Sequence, residues 1–134
     1  MAIGPAIGWT ATMGLVPGYA HDNMPDGIEE RRALLIRTWT EAMEKVNEET
    51  GYSISVVMTP SIVIYPRSGG CPEGGEQAMT LTGSSNPKFV KPRDFYDFAE
   101  AVERIVRFVQ TEMEQTSVRI EFSEIRSIYS RVPA

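Results

Sequence analysis

The sequence predicts an α+β domain, a two-layer sandwich of two β-α-β units with two long helices on one face of a mixed sheet. Three observations carry this. Apolar residues recur at helical spacing in two long stretches, residues 28–46 and 95–113. Between and after those stretches, β-branched and aromatic residues alternate with polar ones, most cleanly in Val118-Arg119-Ile120-Glu121-Phe122. A weak internal repeat sets Glu49-Thr50-Gly51-Tyr52-Ser53-Ile54-Ser55-Val56 beside Gln115-Thr116-Ser117-Val118-Arg119-Ile120, each running from a helix end into a strand.

Ala6 to Val16 reads as a strand with a loose start, ended by Pro17-Gly18. Tyr19 to Gly27 is rich in breakers and reads as a loop. Asp26 then opens a helix as its cap, with Glu29 completing a capping-box variant. Ile28, Leu35, Trp39, Ala42, Met43 and Val46 form its apolar stripe, and Thr50-Gly51 ends it. Ser53 to Thr59 and Ser61 to Tyr65 follow as two strands separated by Pro60. Pro66 to Gly75 is an irregular loop, Gln77 to Thr82 a short strand, and Gly83 to Pro87 a turn. The second helix starts near Pro92, carries Phe95, Phe98, Val102, Ile105, Val109 and Met113 on one face, and ends at Thr116-Ser117. Val118 to Ser123 and Ile125 to Tyr129 close the chain as strands, giving the order β-α-β-β-β-α-β-β. Two helices cover one sheet face only, so a closed cyclic oligomer is expected to cover the other.

The 134 residues make one domain, 1–134, and 42% apolar content suffices for one core without staples. A net charge of −5 with no basic run argues against nucleic-acid or anionic-membrane binding. One Cys and one His exclude an intrachain disulfide, a Cys-based zinc site and HExxH chemistry. No basic start leads into an apolar run and no long apolar stretch occurs, so neither a signal peptide nor a membrane span is expected, and the expected location is the cytoplasm.

Several residues invite a chemical reading. Arg119 and Glu121 share one face of their strand, where a guanidinium can hold a carboxylate and a carboxylate can move a proton; the alternative is a solvated face or an ion pair between subunits. Tyr65 and Arg67 stand at the mouth of the Gly/Pro loop, where they can hold an anion or simply pack. Cys71 has only Arg67, four residues back, to activate its thiol and reads as loop filler; Glu73 and Glu76 can do acid/base work as a pair but read as solvated charges; and GGCPEGG lacks the lysine of a phosphate loop. His21 beside Asp22 has no partner nucleophile. Trp9 is core or the wall of a pocket.

In the order and spacing of Pro25-Asp26-Gly27, Thr50-Gly51, Pro60, Gly69-Gly70, Gly83-Ser84-Ser85-Asn86-Pro87 and the final VRIEF strand, the chain resembles the tautomerase superfamily, in the branch of macrophage migration inhibitory factor, across residues 25–125. The resemblance implies a homotrimer with sites between subunits, an N-terminal extension of about eight residues, and cofactor-independent chemistry on a small anionic carbonyl or enol compound. That family's base is an N-terminal proline; here Pro5 is an internal amide with no basic lone pair. The resemblance therefore implies a site built from Glu121 as proton carrier, Arg119 as anion holder and Tyr52, or in its place Tyr65, as hydrogen-bond donor, with Trp9, Tyr65, Arg67 and Thr82 around the substrate. The alternative is a binding or assembly protein of the same fold without catalysis.

Overall fold

The computed structural model describes residues 1–17 and 27–133. Among these the elements run β1 (Ala2–Gly14), α1 (Ile28–Thr50), β2 (Val57–Val63), β3 (Glu76–Ser84), α2 (Phe95–Glu112) and β4 (Ile120–Tyr129). The Asp26 cap and the His21–Asp22 pair lie outside the described residues. Short 3-10 turns occupy Arg67–Gly69 and Pro92–Asp94.

The strands form one sheet in the order β2-β3-β1-β4, and every neighbouring pair is antiparallel. The expected mixed sheet is thereby corrected. Both β-α-β units are present, but they interleave: β1-α1-β2 steps over β3, and β3-α2-β4 steps over β1. This is the split β-α-β arrangement of ferredoxin-like folds.

Strand boundaries also differ from expectation. A single strand, β2, runs through Pro60; as an edge strand it needs donors on one side only. Ser53 to Val56 lie outside the sheet, and the two C-terminal strands are one continuous β4. The loose N-terminus is ordered strand, with Ala2 paired to Tyr129. Pro5 is tolerated in β1 because pairing with β3 begins only at Gly8, so at Pro5 the strand has one neighbour. Just beyond that pairing, buried Ser85 takes over from the ladder: its Oγ accepts the Ile7 N–H at 2.9 Å and its own N–H donates to Ile7 O at 2.9 Å.

Both helices follow their stripes. α1 buries Ile28, Leu35, Trp39, Ala42 and Val46, and α2 buries Phe95, Phe98, Val102, Ile105 and Val109. These join Ile7, Trp9, Ala11 and Met13 of β1 and Met79 and Leu81 of β3 in one core. Trp9 and Trp39 stack at its centre, 5.7 Å between ring centroids and 14° from parallel. Gly83, the β3 partner of Trp9, makes room for that indole: a Cβ there would lie 2.7 Å from Trp9 Nε1 and 2.8 Å from the Ser55 carbonyl oxygen. Pairing and alternation place Thr10, Thr12, Thr59, Thr80, Thr82, Glu121 and Ser123 on the opposite sheet face. That face is thus threonine-rich, with exposed Val57 and Ile125 toward its edges.

Candidate functional site

Register decides where a site can form. Val57, the first residue of β2, pairs with Thr82 near the end of β3, so the chain entering β2 and the chain leaving β3 lie side by side. The C-terminal turns of α1 and the start of α2 meet the same place. Between them lies a groove of about 780 Å³, within the usual size of ligand sites. Met43, Ile54 and Val90 give it apolar surface, Glu44 and Asp94 give it carboxylates, and Tyr52 and Phe89 give it aromatic rings. No Lys or Arg lines it among the described residues.

Tyr52 is held from several sides. Gly51 ends α1 in the left-handed region (φ 81°), its N–H donating to Asn47 O at 2.8 Å. The Tyr52 N–H donates to Thr50 Oγ1 at 3.2 Å, and the Tyr52 ring meets Phe98 edge-on at 5.9 Å. Burial, then the negative charges of Asp94 and Asp97, push its phenol above the ordinary 10.0. Tyr52 also walls a second cavity of about 300 Å³ that Asp97 and Arg104 help to line. Asp94 closes the first turn before α2: its Oδ2 accepts the Lys91 N–H at 3.3 Å and its N–H donates to Lys91 O at 2.8 Å. Phe89, 67% exposed, stands at the groove wall, with Lys88 Nζ 5.4 Å from its ring centre and 5.9 Å from that of Tyr129.

The raised phenols have a consequence for stability. Tyr65 is also pushed up, by burial and then by its hydroxyl donating to Glu76 Oε1 at 3.0 Å. A phenol that resists ionising in the folded chain contributes stability that is full below the unfolded value of about 10 and is lost as pH rises through the folded value. Urea midpoints should therefore fall above about pH 10. The Tyr52→Phe/Tyr65→Phe chain should lose less over that range; an identical fall would remove the phenols as the cause.

The residues singled out in the sequence are scattered. Tyr52 lines the groove. Trp9 is 4% exposed and packs in the core. Tyr65 and Arg67 border a separate cavity of about 180 Å³ at the far end of the β2–β3 hairpin, a strand length of about 20 Å away. In that loop Cys71 Sγ accepts the Tyr65 N–H at 3.5 Å and donates to Pro72 O at 3.5 Å, a filler's contacts. Thr82 sits on the uncovered sheet face. Glu121 on β4 and Arg119, which lies just before the strand rather than in it as expected, are exposed and pair with each other at 3.6 Å. Asn47, Phe89 and Asp94 are not legible as site residues in the sequence; the one signal near them is the turn at Asn86-Pro87 leading to the Pro92 helix start. Among the described residues no group of three or more His, Cys, Asp or Glu could hold a metal, and no helix is long and apolar enough to cross a membrane.

A family model described as SAM lyase matches residues 7–131. That match, over nearly the whole chain, overturns the tautomerase resemblance, which rested on junction signals (Thr-Gly, Gly-Gly, Asn-Pro) that many α+β folds share. A phage SAM lyase in complex with S-methyl-5'-thioadenosine is 17% identical, covering 89% of this chain and 81% of that one, at a TM-score of 0.50. A phage SAM lyase in its apo state is 12% identical, covering 96% and 89%, at 0.47. A PII-like signaling protein from Thermus thermophilus is 13% identical, covering 96% and 94%, at 0.41. No curated protein sequence matches the chain.

Proposed function

Because the chain belongs to the SAM lyase family, we propose that it cleaves S-adenosylmethionine in the groove beside Tyr52. The supporting observation is the groove's chemistry. Glu44 and Asp94 bring negative charge and Tyr52 and Phe89 bring ring faces, and no Lys or Arg lines the groove among the described residues; Arg93 Nε, 3.9 Å from Asp94 Oδ2, and Lys88, over the Phe89 ring, stand outside that lining. S-adenosylmethionine carries a sulfonium and an ammonium group, and both carboxylates and aromatic faces attract such cations.

The reaction balances within the substrate. The electron pair of the S–Cγ bond stays on sulfur, and the sulfonium leaves as the neutral thioether S-methyl-5'-thioadenosine. An oxygen of the substrate's own carboxylate fills the valence at Cγ, closing homoserine lactone. This route avoids taking an unactivated Cβ proton with a carboxylate base, and it gains from holding carboxylate and Cγ together. The protein's part is to bind the bent substrate, orient it and limit water. The protonated Tyr52 hydroxyl, with no hydrogen-bond partner among the described residues, is a donor for an oxygen of the substrate.

The test is incubation of the chain with S-adenosylmethionine, followed by chromatography and mass spectrometry. Equal amounts of S-methyl-5'-thioadenosine and homoserine lactone are expected. S-adenosylhomocysteine, or binding without turnover, would overturn the reading, the latter in favour of a binding protein. A ring of copies, the homotrimer of the sequence expectation, is supported by β4, whose outer edge no described strand covers and which exposes Phe122, Ile125 and Ile128. A monomeric native mass would dismiss it.

A further inference from the structure

Residues 52–56 leave α1 and reach β2 outside helix and strand, so side chains help to set their path. One side chain does most of this. Asn47, a turn before the helix end, donates from Nδ2 to the Tyr52 carbonyl oxygen at 3.0 Å and to Ser53 Oγ at 3.3 Å. Its backbone carbonyl oxygen accepts the Gly51 N–H at 2.8 Å, the last bond of the helix. The Asn47 side chain thus ties Tyr52 and the residue after it, and the helix bond holds the residue before. Asn47 also lines the groove, so nothing lies between this clamp and the cavity.

We infer that Asn47 is a positioning residue for S-adenosylmethionine cleavage, acting through Tyr52; the inference rests on the function proposed above. The Asn47 amide fixes the backbone from which the Tyr52 side chain projects. The Phe98 contact then fixes the ring. Small misplacements of an orienting group cost rate rather than affinity.

The experiment is a double-mutant cycle on the full chain, with S-methyl-5'-thioadenosine release as readout. Tyr52→Phe should lower kcat by about tenfold or more, and Asn47→Ala by about tenfold with KM within about twofold. The combined variant should be no more than about twofold below Tyr52→Phe alone, because both changes remove one interaction chain. Asn47→Asp keeps the side chain's shape and removes its donor; it should lose kcat like Asn47→Ala, which holds the test if the alanine chain folds poorly. Multiplying effects, or an unchanged kcat in both Asn47 variants, would overturn the inference while leaving the function intact. A wild-type chain that releases no S-methyl-5'-thioadenosine would overturn the function and this inference with it.

Discussion

Replacing Asp94 by Asn raises the KM for S-adenosylmethionine about tenfold and leaves kcat unchanged or higher. The sign follows from where charge goes in the reaction. A carboxylate near the substrate's cations stabilises the bound ground state by a few kcal/mol at most at an effective dielectric near 20, reduced here because Asp94 is a third exposed. If Asp94 faces the ammonium, that charge persists through the reaction, so its loss weakens binding uniformly and kcat stays level. If it faces the sulfonium, the charge fades as S–Cγ breaks, so its loss also lowers the barrier from the bound state. Asn keeps an oxygen that can accept the Lys91 N–H, so the turn before α2 survives. Binding of S-methyl-5'-thioadenosine, which carries neither charge, should not change. A fall in kcat at constant KM, or equal weakening of the neutral product, would remove Asp94 from the role.

Trp39→Ala should lower unfolding free energy by about 3–5 kcal/mol. The side chain is 2% exposed and its ring lies on Trp9, so truncation opens a cavity between α1 and the sheet. Against a typical domain stability of about 5–15 kcal/mol this is a large share. Trp39→Phe should cost distinctly less, about 1–2 kcal/mol, because the Trp39 indole N–H is buried without a hydrogen-bond partner and Phe removes that donor along with some volume. Urea titration of the two variants reads this difference. A loss below about 1 kcal/mol for the alanine chain would show that helix and sheet close over the gap.

The helices are legible in the sequence almost residue by residue, since Leu35, Trp39 and Val46 or Phe98, Val102 and Ile105 are neighbours on a helix face before any tertiary contact exists. The face of β4 is legible too: Ile120 and Phe122 pair with Ala11 and Trp9 on the covered side, and Glu121 pairs with Thr10 on the other. Strand identity is less so. Pro60 reads as a boundary until the strand is known to lie at an edge, and the N-terminal residues read as loose until Tyr129 is known to pair with Ala2. Of the seven residues that the sequence gathers as a site, Tyr52 alone lines the groove.

An α+β domain, its two long amphipathic helices and the inward residues of its helices and strands are all encoded locally, because each is a periodicity along the chain. The antiparallel order β2-β3-β1-β4 and the place of the groove emerge from long-range pairing alone. A strand's partner is chosen across long separations, such as Ala2 with Tyr129, and no local pattern encodes that choice. Asn47, Tyr52, Phe89 and Asp94 come together only because the register of β2 on β3 sets two connections side by side.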